Sequence, residues 1–362
     1  MSIPWQYAHR LLYEGKTLKG FIRLACVGVG ICLTASAADP VPTGTPAAAT
    51  PAAVTTPGTA IELPEWLFPI DPKSIKPNPN PPKLDDVELL DIPGSEQKYT
   101  LARINDPFNA PDWRPNKHIP MPEIVARGRK PAVMACAYCH TPTGQGRPEN
   151  SSLAGLPEAY FKEQLLDFRS GKRQPTGPEA YLPSWNMLKI AKAMTEQEID
   201  ESAKYFAQQK LLRRVYIIES LRIPRAERAA WIYEEVGGTE DLEDRLLEVT
   251  SELTRHERRD DRLEYSAYVP PGSIGRGKRL VTTGDGGKTQ VCATCHLASL
   301  KGTDKIPPIG GRSPTYLLRQ LLAFRNGTRA NEAAQQMTPV VEKLTLNEMI
   351  DVAAYLGSLY PQ

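Results

Sequence analysis

Apolar positions recur with a helical period in two widely separated stretches of this chain. In residues 316–329, Tyr316, Leu317, Gln320, Leu321 and Phe324 fall at i, i+1, i+4, i+5 and i+8, and Gly327 follows as a stop. The same pattern stands 156 positions earlier, where YFKEQLLDFRSGKR over residues 160–173 parallels YLLRQLLAFRNGTR. After a six-residue length difference the match resumes at offset 150. Met187 then pairs with Met337, Met194-Thr195 with Leu344-Thr345, and Ala203-Lys204-Tyr205 with Ala353-Ala354-Tyr355. Thr345 with Glu348 at N3 predicts an N-terminal capping box, beyond which Met349, Ala353 and Leu356 line one face; Thr195 and Glu198 repeat the box. A repeat of this length signals duplicated domains rather than a solenoid. Both are predicted to be mainly α, over residues 120–207 and 271–362.

The pattern changes outside the repeats. Residues 38–83 are dominated by Pro, Ala and Thr, which bury no core and favour extended conformations, so they predict a disordered arm. Residues 84–119 read as an irregular, Pro-rich segment that wraps the first domain. Between the domains, residues 208–270 read as a partly β or irregular segment. Val215–Glu219 and residues 246–249 are short and rich in branched apolar side chains, as in a small β pairing, yet Leu242, Leu246, Val249 and Leu253 also fit a helix. The run RHERRDDR at 255–262 reads as a solvated surface or, more sharply, as a docking face for a redox partner.

Residues 1–37 read as a secretory signal. Arg10, Lys16, Lys19 and Arg23 form a positive n-region, residues 24–33 a short apolar run, and Ala35-Ser36-Ala37 a small-residue cleavage site. The run is short for a membrane span, and an uncleaved anchor is the alternative. Cleavage near Ala37 predicts an exported, periplasmic protein with no transmembrane domain in the mature chain. It also removes four of 44 basic and one of 42 acidic residues, leaving 40 against 41. Nothing in that balance points to nucleic acid.

The same cleavage removes Cys26 and Cys32, and the four remaining cysteines stand in two C-x-x-C-H motifs, Cys136/Cys139/His140 and Cys292/Cys295/His296. This is the attachment signature of a c-type haem. On a short helix the two thiols and the imidazole project from one face, so two thioethers reach the haem while the imidazole meets the iron. A disulfide framework leaves both histidines unexplained, and zinc ribbons place their cysteine pairs roughly 15 to 20 residues apart, far closer than here. Two covalently attached haem c groups, with their iron, follow as the expected cofactors.

Iron bound by one histidine alone is open and reactive, whereas a second ligand closes it for electron transfer. Met187 and Met337 are the methionines at equivalent repeat positions, and both lie in polar sequence read as loops, SWNM and AAQQM. They are the expected distal metal ligands, opposite His140 and His296. Met194 and Met349 face Leu344 and Ile199 in the other repeat and read as core. His118 and His256 have no counterpart in the other half and read as surface residues. Arg169, Arg173, Arg325 and Arg329 recur in both halves and read either as partners of haem propionates or of the domain interface, or as exposed helix-end cations.

Residues from about 120 to 359 resemble a tandem of class I cytochrome c domains, similar to the dihaem cytochrome c4 type. The resemblance rests on the two C-x-x-C-H motifs, the turns Leu153-Ala154-Gly155 and Ile309-Gly310-Gly311, the Q-L-x-x-F-R-x-G-x-R segments, the methionine segments and last helices ending A-x-Y. It implies a mainly α fold of two duplicated domains and axial pairs His140/Met187 and His296/Met337. It also implies an electron carrier, not an enzyme, that shuttles single electrons between a redox protein donor and acceptor. A Pro carbonyl ahead of the turn holds the proximal histidine in that family; Pro307 matches it, while the first half has Ser151 there. The alternatives are a cytochrome subunit docked on a dehydrogenase or oxidase, for which the arm and the middle segment supply an interface, and a dihaem peroxidase.

Overall fold

A computed structural model describes residues 59–72 and 87–361. The signal expected over 1–37, and most of the arm, lie outside the described residues.

The first half builds short helices α1 (Leu101–Ile104), α2 (Glu123–Ala126) and α3 (Cys136–His140), then α4 (Glu158–Ser170), α5 (Leu182–Ala193) and α6 (Glu196–Ala207). In α4, Tyr160, Phe161, Gln164, Leu165 and Phe168 are buried, and Gly171 ends the helix at φ +80°, a left-handed cap that glycine takes without strain. In α6 the capping box of Thr195 and Glu198 forms as the sequence implies. Residues 184–187 do not form a loop, however. Pro183 sits in the first turn of α5, where a missing N–H costs nothing, and Met187 lies inside the helix. Judging SWNM by its polarity overlooked Leu188, Ile190 and Ala191, which follow on the packed side.

The middle segment is an organised five-stranded sheet of order β1-β5-β4-β3-β2, comprising β1 (Val215–Glu219), β2 (Arg222–Ala229), β3 (Ile232–Asp241), β4 (Leu247–Thr250) and β5 (Tyr265–Val269). The two runs expected to pair are both strands of this sheet but are not neighbours. β5 lies between them, parallel to β1 and antiparallel to β4. The antiparallel β2–β3 hairpin, with a register shift at Pro224/Ala226, escaped the sequence because its alternation is mostly polar. Helix α7 (Leu253–Glu257) leads into β5.

The run RHERRDDR overturns its expected reading. His256, Arg259, Asp260 and Asp261 are each more than nine-tenths buried. The two aspartates are matched internally: Arg114 Nη1 lies 2.8 Å from Asp260 and 2.5 Å from Asp261, and Arg255 lies 2.6 Å from Asp260. Trp113 Nε1 adds a 2.6 Å hydrogen bond to the Arg258 carbonyl. The segment 87–119 and the middle segment are thereby locked together.

The second half repeats the plan with α8 (Ser273–Thr283), α9 (Ala293–His296), α10 (Pro314–Arg325), two short helices α11 (Glu332–Gln335) and α12 (Thr338–Val341), and α13 (Leu346–Ser358). Its capping box, Thr345 with Glu348, also forms. Gly277 lets α8 and α13 touch, for a Cβ there would lie 1.9 Å from the Asp351 carbonyl oxygen.

Residues 59–72 correct the expectation of a disordered arm over 38–83. Leu67 and Phe68 are almost fully buried in the core of the second half, and burying side chains of this size stabilises by about 1.5–3 kcal/mol each. Arg319 donates to the Leu67 carbonyl at 2.6 Å, and Asn326 pairs with Ile61 at 2.7 and 2.9 Å. The local run IELPEWLF carries enough apolar surface to dock, which an average over the Pro-rich arm conceals.

Candidate functional site

Both cysteine-histidine motifs fold as expected, on the one-turn helices α3 and α9. The residue after each histidine turns left-handed, Thr141 at φ +64° and Leu297 at φ +65°, which ends the helix and folds the chain back. Gly146 N–H then donates to the His140 carbonyl at 3.0 Å, and Gly302 N–H to the His296 carbonyl at 2.9 Å. Both glycines have positive φ, and a Cβ would meet the Asn150 and Ser151 backbone at 2.6 Å in one loop and the Ile306 oxygen at 1.9 Å in the other. Sequence reasoning missed this pair, although the offset of 156 that links the motifs also links the two glycines.

The tight loops bring a carbonyl beneath each imidazole. His140 Nδ1 lies 2.7 Å from the Ser151 oxygen, and His296 Nδ1 lies 2.9 Å from the Pro307 oxygen. A carbonyl only accepts, so each Nδ1 carries the proton and each Nε2 keeps its lone pair. Ser151 serves as well as Pro307 because the backbone oxygen, not the ring, makes the contact. Burial drives the His140 pKa down to about 4, partly opposed by the Ser151 hydrogen bond, and drives that of His296 down against its bond to Pro307. Neutral imidazoles with a fixed tautomer are prepared to ligate iron through Nε2.

Each histidine opens on a largely apolar cavity. The first, about 160 Å³, is lined by Cys136, Cys139, His140, Phe161, Met187 and Met194 among others. The second, about 550 Å³, is lined by Cys292, Cys295, His296, Leu317, Val340 and Met337 among others. The four cysteines are free, and burial raises the Cys136 and Cys292 thiols to about 12 and about 11. Among the described residues no group of three His, Cys, Asp or Glu side chains is arranged to hold a metal ion by itself. His118 lines neither cavity; its ring meets Asp112 at 3.1 Å, the Ile119 carbonyl at 2.8 Å and Tyr205 Oη at 3.1 Å.

His256, read from sequence as a surface residue, is instead buried, with Nδ1 3.0 Å from Tyr265 Oη and Nε2 3.5 Å from Glu149.

The two cavities share Leu156, Tyr160, Gln164, Tyr316 and Gln320 in their walls. Arg173 and Arg329 cross at this seam, where residues 173 and 329 form an antiparallel bridge. The other recurrent pair has a different task. Arg169 donates to the Met194 carbonyl at 2.8 Å and Arg325 to the Val341 carbonyl at 2.6 Å, so each anchors the chain that follows its methionine.

Arg312, Arg319 and Arg329 are more than nine-tenths buried and, with Arg173, line the cavities, yet none has a carboxylate partner among the described residues. A buried guanidinium without a counter-ion is strongly destabilising. An anionic group in the cavities would balance these charges. Apolar walls, thiols, a poised imidazole and unbalanced guanidiniums together fit a haem and its propionates.

Comparison with known proteins agrees. The cytochrome c family model matches residues 125–210 and 274–360. The cytochrome c-554(548) of Halomonas halodenitrificans is 36% identical over 72 residues, 20% of this chain and 87% of that protein. The thiosulfate dehydrogenase electron acceptor of Stutzerimonas stutzeri is 28% identical over 236 residues, 64% of this chain and 82% of the relative. A cytochrome c4 of Pseudomonas aeruginosa is 24% identical over 244 residues, covering 65% and 89%. The chain belongs to the cytochrome c family. It is a tandem class I c-type cytochrome of the dihaem c4 kind, an electron carrier with two covalently attached haem c groups.

Proposed function

We propose that this cytochrome works in the periplasm as the electron acceptor of a dehydrogenase, each half binding one haem through its own cysteines, histidine and methionine. Cys136 and Cys139 would hold one haem through thioethers, with His140 and Met187 as the ligands of its iron; Cys292, Cys295, His296 and Met337 would hold the other in the same way. The domains span 120–207 and 271–362. The observation that carries this reading is recurrence: in both cavities two free thiols, a histidine with Nδ1 held by a carbonyl and a methionine line one apolar space.

When bound, haem c supplies a one-electron iron couple. The chain's residues supply the rest. Ser151 and Pro307 orient the imidazoles, and a thioether ligand raises the potential relative to a second histidine. Arg173, Arg312, Arg319 and Arg329 balance the propionates, and the apolar walls exclude water. In this reading the chain breaks no substrate bonds itself.

The choice of partner follows the relative that is named as an acceptor for thiosulfate dehydrogenase. An exported location agrees with the signal pattern at 1–37, and among the described residues no helix is long and apolar enough to cross a membrane. An optical redox titration of the purified holoprotein, with carbon monoxide added, tests the reading. Two haems showing the ferric methionine-sulfur band and inert to carbon monoxide support it. A haem that lacks the band and binds the gas sinks the Met187/Met337 assignment. Failure of reduced thiosulfate dehydrogenase to pass electrons to the holoprotein sinks the choice of partner.

A further inference from the structure

The repeats place residues 141–149 of the first half against 297–305 of the second, but the two loops have different surroundings. Thr141, Thr143, Gln145 and Glu149 are buried, whereas Leu297 is 46% exposed and Ser299, Lys301, Thr303 and Lys305 are exposed. The inserted middle segment makes the difference. Asp261 accepts from Thr143 Oγ1 at 2.8 Å. Arg214 donates to the Gln145 carbonyl at 3.0 Å and to the Gly146 carbonyl at 2.5 Å. Arg259 lies 3.6 Å over the Tyr138 ring, within the first haem motif, and donates to the Tyr138 carbonyl at 3.2 Å.

This cover is charged and unbalanced. Arg214 and Arg259 are buried and the Arg147 side chain is 8% exposed, yet among the described residues the one carboxylate in ion-pair contact with any of the three is Glu149, which lies 3.0 Å from Arg147. Asp260 and Asp261 are already matched by Arg114 and Arg255, and His256, driven down to about 4 by burial, is neutral at pH 7. The second site has no such cover, for Thr303 and Lys305 stand in solvent where the Arg147 and Glu149 side chains are 8% and 3% exposed.

We propose that the inserted segment makes the two haem sites electrically unequal, Arg214 and Arg259 together with Arg147 holding the first haem at a higher reduction potential than the second. Reduction lowers the charge of a haem site by one, so a net positive surrounding favours the reduced form, and burial keeps the effect from being screened. Electrons arriving at the open second site then run downhill to the covered first one. This rests on the haem assignment made above.

The test is potentiometric titration of the full-length holoprotein and of Arg259→Gln and Arg259→Lys, with haem counted by the pyridine haemochrome method. In Arg259→Gln the higher of the two couples falls by about tenfold in its equilibrium constant, 59 mV for one electron. The other couple stays, and Arg259→Lys keeps most of the wild-type value. With Cys292→Ala and Cys295→Ala also present, the couple that remains moves by the same amount. Arg214→Gln repeats the shift and serves if Arg259→Gln does not fold. Two couples that both stay, that move together, or that fall as far with Lys as with Gln overturn the proposal while leaving the haem assignment intact. A chain without covalent haem overturns the assignment, and the proposal with it.

Discussion

Arg173 and Arg329 share the same two acceptors. Arg173 donates to Gln164 Oε1 at 2.9 Å and to Gln320 Oε1 at 3.1 Å, while Arg329 donates to Gln320 Oε1 at 3.0 Å and to Gln164 Oε1 at 2.7 Å. Each arginine thus binds the glutamine of its own repeat and that of the other, an arrangement with local twofold symmetry. Duplication explains it: one surface met its own copy, and the same residues served both sides. Burial and the nearness of Arg329 both depress the Arg173 pKa, so the seam without an anion is a site of repulsion.

Arg329→Gln should therefore act oppositely in the two forms of the protein. In the holoprotein it removes a charge-assisted contact and is expected to destabilise by about 1.5–3 kcal/mol. In the haem-free chain it relieves like-charge repulsion and should be close to neutral. Denaturant titrations of both forms check this, and an equal loss in each would detach Arg329 from the propionates.

Met337→His and Met187→His should each remove the methionine-sulfur band of one haem and lower one reduction potential, because a second imidazole favours ferric iron more than a thioether does. The readout is the near-infrared spectrum alongside potentiometry. If Met194→His rather than Met187→His abolished the band, Met194, which lines the same cavity, would be the ligand.

What was legible in the sequence was whatever the duplication wrote twice. The capping boxes at Thr195 and Thr345 and the stripes of α4 and α10 stand at fixed offsets and fold accordingly, and the paired methionines each line a cavity, although Met187 does so from a helix rather than a loop. The single-copy parts were harder to read. Composition made RHERRDDR look solvated, since a local window does not contain Arg114, which pairs with its two aspartates, or Tyr138, over whose ring Arg259 lies. Residues 59–72 looked like a tether because their anchor, Arg319, lies some 250 positions away. The glycines Gly146 and Gly302 were available from the repeat, but their task, bringing a carbonyl beneath a histidine, is visible only in three dimensions.

His256 should make stability depend on pH. Its folded pKa is pushed down to about 4, chiefly by burial, against about 6.5 in an unfolded chain. The unfolded state therefore takes up the proton first, and the stability this residue contributes is full above pH 6.5 and is lost as pH falls toward 4. The loss is of order 3 kcal/mol. His256→Gln should flatten that part of the profile, measured as the difference from wild type in denaturant midpoints between pH 7 and 4. Parallel profiles would show that His256 titrates normally.

Two glycines on one face of the question give opposite expectations within a single helix. Gly275 and Gly277 both lie in α8, and neither has a left-handed φ. A Cβ on Gly275 would meet nothing within 4 Å, so Gly275→Ala should stabilise by up to about 1 kcal/mol through helix propensity alone. At Gly277 the added carbon would lie 1.9 Å from the Asp351 oxygen and 2.9 Å from Tyr355 Cβ. Neither helix can yield cheaply there, because Arg276 fastens Asp351 from α8 at 2.7 and 2.9 Å on the same side of the contact. Gly277→Ala should therefore cost about 1–3 kcal/mol, the helices parting or the bidentate pair breaking. Thermal or denaturant unfolding of the two holoprotein variants decides it: equal gains in both would mean that α8 and α13 are not in the close contact described.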